Sequence, residues 1–393
     1  MVGKTPLSMA CLSRNEALVK FLIEEAGADI NKGVNPLVNR GTLNETIVKY
    51  LIGLGLDINK RGIDDETPLF KACEEGNEAL VKWLVEHGAN INKENDFGET
   101  ALFYACYHGN EAIIKYLIEH GADITNDNYE GKTSLSIILY EGSEAIIEYV
   151  IKHVLDVNEN LDYKNYNTPL FWACERENEA LVKWLVEHGA NINKENDFGE
   201  TPLLMACERG NEIIIKYLVE HGADINKENK YGKTPLLKTC ECGNEIIVKC
   251  LVENGANINK VNNNGETPLF VACERGNEAV VKYLVEHGAN INKENEYNET
   301  PLFESCFSIN GNETLVKYLV EHGADINKEN WVGETPLFWA CERGNKAIVK
   351  YLVERGVNIN KESEFGETPL SNARKRKRRN KALIEYLIKH GAE

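Results

Sequence analysis

The chain has 393 residues and a formal net charge of −18, with 42% hydrophobic and 27% charged residues, a composition typical of globular proteins. The segment from Thr368 to Glu393 holds eight Lys and Arg against two Glu, so the rest of the chain carries a net charge of −24. This acidity disfavours nucleic-acid phosphates and anionic membranes and favours partner proteins with basic surfaces.

No apolar run approaches the roughly 18 residues of a membrane span, so we predict no membrane insertion. The first residues lack the basic, apolar and small-residue segments of a signal peptide. We therefore predict a cytoplasmic protein that binds no nucleic acid, and we expect a monomer.

A phrase of the form Thr-Pro-Leu, or a close variant, recurs along the chain, mostly at intervals of 33 residues. Its threonines stand at positions 5, 67, 100, 133, 168, 201, 234, 267, 300, 335 and 368, and Asn35 takes the same place before Pro36. A fixed period of this length indicates a repeat protein. We predict a single solenoid over residues 1–393, with approximate repeats 3–33, 34–63, 65–94, 98–127, 131–160, 166–195, 199–228, 232–261, 265–294, 298–329, 333–362 and 366–393.

Each repeat is predicted to form two helices and a projecting loop. In the repeat that begins at Thr201, this residue suits a helix N-cap, and Pro202 suits the first helical position. Gly210 ends this first helix, and Asn211 caps a second helix with an apolar stripe on one side. Gly222 suits the left-handed position after the second helix. The Asn-x-x-Gly that follows predicts a tight turn, which we call a finger.

These residues resemble those of the ankyrin-repeat family. The resemblance rests on T-P-L-x-x-A in the first helix, G-N-E-x-x-V-K-x-L-V-E-x-G-A-D/N-I-N through the second helix and N-x-x-G-E before the next Thr, in twelve copies. It implies an all-α repeat fold, an ankyrin-repeat solenoid of helix-turn-helix units with projecting β-hairpin fingers. It also implies a protein-binding module that grips partners with its fingers and inner helices, and it implies no chemistry. The family's usual His after T-P-L is absent here, and its finger Asp is mostly Asn.

Four repeats, the second, fifth, tenth and twelfth, depart from the common pattern. They differ by a missing residue, by Ser134 in place of Pro, by an insertion around residues 308–310 and by a basic run. Such repeats bend the solenoid, mark binding sites or are old, drifted copies. By contrast, the 24 residues from Asn77 to Thr100 recur unchanged from Asn178 to Thr201, which indicates copying of a block of repeats.

Catalytic and metal-binding patterns are lacking in the sequence. It has no G-x-x-x-x-G-K-S/T, no G-x-S-x-G and no H-E-x-x-H. Eight of the nine His follow the second helix, where the helix dipole favours a cation. Nine of the eleven Cys fill one position of the first helix, which predicts a column of buried thiols and not a zinc cluster. We therefore predict no catalytic residue, no cofactor and no metal, including at the local cluster of Cys240, Cys242 and Cys250.

Aromatic residues stand at seven finger tips. Exposed aromatic side chains are common anchors of protein interfaces, so we predict that these bind a partner. The alternative is that each ring packs on the neighbouring finger. The predicted contact residues are Phe97, Tyr129, Phe198, Tyr231, Tyr297, Trp331 and Phe365.

Glutamates flank the tips, and we predict that Glu94, Glu99, Glu195 and Glu200 contact a basic partner. The alternative is a solvated surface that maintains solubility. One position of the first helix varies freely between repeats, and its two tryptophans, Trp172 and Trp339, are further candidates. Variation there indicates either partner contact or tolerance between repeats. The aromatic residues at one position of the second helix are predicted to pack between repeats.

The last repeat contains the basic run Arg374, Lys375, Arg376, Lys377, Arg378 and Arg379. This run resembles a nuclear-import signal. It would equally serve as the polar face of a terminal repeat, or bind the acidic body of another copy.

The sequence therefore predicts a non-enzymatic scaffold or adaptor that binds a partner protein through its fingers and concave face. One alternative is a substrate-recruiting or targeting arm of a larger multidomain protein. The other is a nuclear regulatory ankyrin protein, which rests on the basic run alone.

Overall fold

The computed structural model describes residues 5–33, 35–38, 43–62, 65–158, 160, 167–307, 312–375 and 381–393. Within these ranges the chain forms 23 helices and one isolated antiparallel bridge, between Asp127 and Thr133. It groups into two compact units, Met1–Asp156 and Val157–Glu393. The predicted all-α repeat fold is confirmed, and the single solenoid over residues 1–393 stays a prediction.

Most repeats contribute one first helix and one second helix, as predicted. The first unit holds α1 (Pro6–Leu12), α2 (Glu16–Glu24), α3 (Glu45–Gly53), α4 (Pro68–Glu74), α5 (Glu78–Glu86), α6 (Ala101–Tyr107), α7 (Glu111–Glu119), α8 (Ser134–Glu141) and α9 (Glu144–His153). In the second repeat only the second helix, α3, lies within the described residues.

The second unit repeats the same helix pair seven times. Its helices are α10 (Pro169–Glu175), α11 (Glu179–Glu187), α12 (Pro202–Arg209), α13 (Glu212–Glu220), α14 (Pro235–Cys242), α15 (Glu245–Glu253), α16 (Pro268–Arg275), α17 (Glu278–Glu286), α18 (Pro301–Phe307), α19 (Glu313–Glu321), α20 (Pro336–Arg343), α21 (Lys346–Glu354), α22 (Pro369–Lys375) and α23 (Lys381–Lys389).

The first helix begins and ends where the sequence indicates. Thr201 Oγ1 accepts a hydrogen bond from the Leu204 amide at 3.3 Å, and Gly210 caps α12 in the left-handed region with a φ of 80°. Leu203 and Cys207 are fully buried between repeats. Burial raises the pKa of the Cys207 thiol to about 12, so it stays protonated and unreactive near neutral pH. The nine column cysteines are all buried and free, as predicted.

The second helices carry a column of aromatic rings that packs between repeats. In eight repeats the ring lies against a His four residues later, with ring centroids 3.9 to 5.0 Å apart. In most of these repeats the His Nδ1 also donates a hydrogen bond to the backbone carbonyl of the aromatic residue, as His221 Nδ1 does to Tyr217 O at 2.7 Å. The ring stack was not anticipated from the sequence, which indicated only the helix dipole.

A lysine of the preceding second helix lies over many of these rings. Its Nζ is 5.3 to 5.8 Å from the ring centroid in the pairs Lys20–Tyr50, Lys49–Trp83, Lys82–Tyr116, Lys115–Tyr149, Lys249–Tyr283, Lys282–Tyr318, Lys317–Tyr351 and Lys350–Tyr386. In these pairs, the cation–π geometry joins one second helix to the next.

In most repeats an asparagine after the second helix also joins successive repeats. Asn226 Nδ2 donates to Gly255 O at 3.1 Å, and its Oδ1 accepts from the Asn257 amide at 2.7 Å. The same two bonds recur at Asn59, Asn92, Asn158, Asn193, Asn259, Asn292 and Asn360. We call this arrangement the asparagine ladder.

We expect Asn226→Ala to lower the free energy of unfolding by about 1–2 kcal/mol, because it removes both ladder bonds. Chemical denaturation followed by circular dichroism measures the change. Asn264→Ala is the control, because this exposed finger residue donates and accepts hydrogen bonds through its backbone amide and carbonyl. Equal losses in the two variants would contradict a role for the ladder.

Candidate functional site

Most fingers are tight turns closed by one asparagine, and Ser363 takes its place in the finger that carries Phe365. Asn229 Oδ1 accepts from the amides of Tyr231 and Lys233 at 2.9 and 3.0 Å, and the Asn229 amide donates to Lys233 O at 3.1 Å. Gly232 completes the turn with a φ of +72°, in the left-handed region that favours glycine. The Asn-x-x-Gly turn predicted from the sequence is therefore confirmed, and the side chain of Asn229 holds it from within.

Backbone hydrogen bonds join successive finger tips within each unit. In the second unit, the amides of Lys230, Asn263, Glu296, Trp331 and Glu364 donate to the carbonyls of Phe198, Tyr231, Asn264, Tyr297 and Val332 at 2.9 to 3.1 Å. In the first unit, the Tyr129 amide donates to Phe97 O at 3.0 Å. A Cβ on Gly232 would lie 2.7 Å from the Asn263 nitrogen, so this close approach requires glycine. The finger tips thus form a fixed row in each unit.

The seven predicted tip aromatics are exposed on these rows. Tyr297 and Trp331 lie on neighbouring fingers with ring centroids 6.2 Å apart, so the rings contact each other without covering each other. The exposed fractions are 55% for Phe97 and 80% for Tyr129 in the first unit, and 43% for Phe198, 57% for Tyr231, 51% for Tyr297, 62% for Trp331 and 75% for Phe365 in the second.

Glutamates before the tips form ion pairs with the next finger. Glu195 Oε1 lies 2.8 Å from Lys227 Nζ. The pairs Glu228–Lys260, Glu294–Lys328 and Glu329–Lys361 have the same arrangement at 2.7 to 2.8 Å. Glu94 is exposed, and the following repeat has Asn126 in place of the lysine. Because of these pairs, the row that includes Glu195 is less acidic than its glutamates alone indicate.

Glutamates after the tips are held by the finger asparagines. Asn95 Nδ2 donates to Glu99 Oε2 at 3.0 Å, and Asn229 Nδ2 donates to Glu200 Oε1 at 3.4 Å. Glu299, the equivalent residue of another finger, is 8% exposed, and burial raises the pKa of its carboxyl. This row therefore supplies the negative charge at the base of the fingers.

Glu304 of α18 lies close enough to Glu299 and Glu266 of that row to interact with their carboxylates. Burial, followed by repulsion from Glu274, Glu299 and Glu266, raises the pKa of Glu304 to about 7, while Arg343 opposes the rise. The sequence placed Glu304 only at the variable position of the first helix and gave no signal of this shift.

The two candidate tryptophans have different surroundings. Trp172 is 9% exposed, with the Arg176 guanidinium 5.4 Å from its ring, so it offers little surface to a partner. Trp339 is partly exposed, and its Nε1 donates to Glu334 Oε2 at 3.1 Å. Its ring also packs on Phe307 at 4.8 Å. Trp339 therefore lies at the base of a finger and Trp172 in the packing between helices.

The basic run is described in part. Arg374 and Lys375 are exposed at the end of α22, and Lys375 Nζ lies 2.8 Å from Glu367. Arg376, Lys377, Arg378 and Arg379 lie outside the described residues. The import signal stays a prediction.

In the described part of the chain, no group of three or more His, Cys, Asp or Glu is placed to hold a metal ion. The described helices also include none that is long and apolar enough to cross a membrane.

Stacked pairs of short helices, each followed by a projecting turn, define an α-helical repeat protein. The sequence model for three-copy ankyrin repeats matches residues 37–128, 123–196, 190–262, 247–330 and 310–393, and the single ankyrin-repeat model matches residues 2–32. The chain belongs to the ankyrin-repeat family, whose fold generally mediates protein–protein interaction.

Two solved structures illustrate the similarity. The human ASB11 ankyrin repeat domain is 26% identical over 58% of this chain and 99% of that domain, with a TM-score of 0.52. The ankyrin repeat domain of Bcl-3, described as a unique member of the IkappaB protein family, is 26% identical over 57% of this chain and 98% of that domain, with a TM-score of 0.49. No curated protein matches the chain.

Proposed function

We propose that the chain is a non-enzymatic scaffold or adaptor that binds a partner protein through its fingers and the adjoining first helices. The observation that carries this proposal is the row of five exposed tip aromatics in the second unit, joined finger to finger by backbone hydrogen bonds. We further propose that it acts as a monomer in the cytoplasm.

Fixed aromatic side chains suit binding because little conformational entropy is lost when a partner arrives. The amide–carbonyl bonds between fingers hold the backbone at each tip, as between Trp331 and Tyr297. Large aromatic side chains then supply most of the binding energy in interfaces of this kind. The tip row therefore combines a rigid base with side chains that favour association.

The partner is proposed to present basic groups beside an apolar strip. Glu99 and Glu200 follow the tips and are positioned by finger asparagines, while Glu304 and Glu299 lie near the base of the fingers in the second unit. Lys227 and its equivalents neutralise the glutamates before the tips, so we place the basic groups of the partner on the other flank.

The test compares the proteins captured by wild type with those captured by a variant in which Phe198, Tyr231, Tyr297 and Trp331 are all Ala. Proximity labelling in cells of the source organism, followed by quantitative mass spectrometry, gives the two sets. We expect the variant to lose the proteins enriched by wild type while keeping the wild-type circular dichroism spectrum. Phe21→Ala is the control, because Phe21 is an exposed aromatic of α2 and lies on no finger. An unchanged set in the four-residue variant would contradict the proposal.

A further inference from the structure

The aromatic column of the second helices is interrupted in the second unit. On α15, Cys250 stands where other repeats have Tyr, Trp or Phe, and Asn254 stands where most have His. Asn254 Nδ2 donates to Cys250 O at 2.8 Å and so keeps the backbone contact that His makes elsewhere. The aromatic ring and the His ring that stack in other repeats are therefore both missing on α15. The side-chain hydrogen bond to the backbone carbonyl remains.

A groove with a volume of about 370 Å³ lies between α13 and α15 at this position. Val219, Ile246 and Cys250 form its apolar part. The polar and charged residues Lys216, Glu220, Lys249, Glu253 and Asn254 complete its lining. Ile246 is 57% exposed at the rim of this groove. We call this groove the Cys250 seat.

Other repeats of this chain show how a ring is held at the equivalent position. On α17, Lys249 lies over the ring of Tyr283 at 5.6 Å, and the Tyr283 ring packs on His287 at 3.9 Å. Lys216 is the residue of α13 that corresponds to Lys249. In the Cys250 seat, the lysine and the apolar floor are therefore present and the ring is not.

The next groove shows that the missing ring, and not the groove itself, sets the Cys250 seat apart. That groove, between α15 and α17, has a volume of about 430 Å³, and it is lined by Tyr283 together with Glu and Lys side chains. The two grooves have similar sizes, but the aromatic ring already occupies its place in the second.

We propose that the Cys250 seat binds an aromatic side chain presented by a partner protein. The ring takes the place of the missing Tyr, with its face toward the Lys216 ammonium and its edge on Val219 and Ile246. Small-molecule sites enclose most of the surface of their ligand. This groove is open and has an exposed aliphatic rim, so it suits a side chain that stays attached to the surface of a partner protein. The seat contains residues of second helices alone, so it is independent of the finger-tip function.

The test is a titration with N-acetyl-L-tyrosinamide and N-acetyl-L-tryptophanamide, which mimic side chains on a backbone. N-acetyl-L-leucinamide is the aliphatic control. Methyl NMR of Ile- and Val-labelled protein reports binding through the signals of Ile246 and Val219. We expect saturable shifts of these two signals with both aromatic probes, and shifts at least ten-fold weaker with the leucine probe.

A variant with Cys250→Tyr and Asn254→His fills the seat with the pair found in most other repeats. We expect it to lose the aromatic-probe shifts, while methyl signals elsewhere show that it is folded. A single Cys250→Phe variant provides the same comparison if the double variant folds poorly. Three results would overturn the proposal: no shifts in wild type, equal shifts with the leucine probe, or shifts that persist when the seat is filled.

Discussion

Replacing Phe303 with Ala is expected to lower the free energy of unfolding by about 3–5 kcal/mol, the usual cost of removing a buried phenyl ring. Phe303 lies on α18 and is fully buried. Its ring meets Trp339 of the following first helix edge to face, with centroids 5.6 Å apart. The substitution removes the ring and leaves a cavity where two first helices pack, so it weakens the interface between neighbouring repeats.

Phe365→Ala is the matched control, because it deletes the same ring at a finger tip that is 75% exposed. We expect it to change the free energy of unfolding by less than about 0.5 kcal/mol. Urea denaturation of both variants, followed by circular dichroism, makes the comparison. Similar losses for Phe303→Ala and Phe365→Ala would show that the tip ring belongs to the packed core.

The second large effect is expected at Glu304, whose pKa is raised from 4.5 to about 7. Burial is the main cause, and the nearby carboxylates of Glu274, Glu299 and Glu266 add to it, while Arg343 acts in the opposite direction. Between pH 4.5 and pH 7 the unfolded chain has lost this proton while the folded chain still holds it. The free energy of unfolding therefore falls as the pH rises through this window and levels off above it.

Glu304→Gln is expected to remove this loss, because glutamine does not ionise. The quantity of interest is the free energy of unfolding of Glu304→Gln minus that of wild type. We expect this difference to be about 1–3 kcal/mol larger at pH 8 than at pH 4.5. Denaturation at the two pH values measures this difference, with the exposed tip variant Glu364→Gln as the control. A constant difference between Glu304→Gln and wild type across the window would contradict a shifted carboxyl.

The local structure of each repeat could be predicted from the sequence because its signals lie within a few residues of one another. Thr201 caps its helix, Gly210 ends it and Asn229 closes the finger through contacts with residues at most four positions away. The threonines and finger asparagines at these positions act in the same way in most repeats.

The hydrogen bonds and ion pairs between repeats were not predicted, because they depend on how one repeat is placed against the next. The bonds from Asn226 to the following repeat and from Lys230 to the Phe198 carbonyl join residues about 30 positions apart. The pairing of Glu195 with Lys227 has the same origin, and it reduces a negative charge that the sequence alone overstated. Similarly, Trp172 and Trp339 share one sequence position, and only their different neighbours make the first buried and the second partly exposed.

The central claim is that the aromatic side chains of the finger tips anchor the partner protein, and a binding constant tests it most directly. A protein captured by the wild type is titrated with wild type, with Tyr231→Ala and with Phe21→Ala. Isothermal titration calorimetry gives the Kd of each pair. These two residues are both 57% exposed, one on a finger of the second unit and the other on α2. We predict that Tyr231→Ala raises the Kd at least ten-fold and that Phe21→Ala leaves it unchanged, as expected for loss of an interface anchor. An unchanged Kd for Tyr231→Ala, or an equal rise in both variants, would contradict the claim.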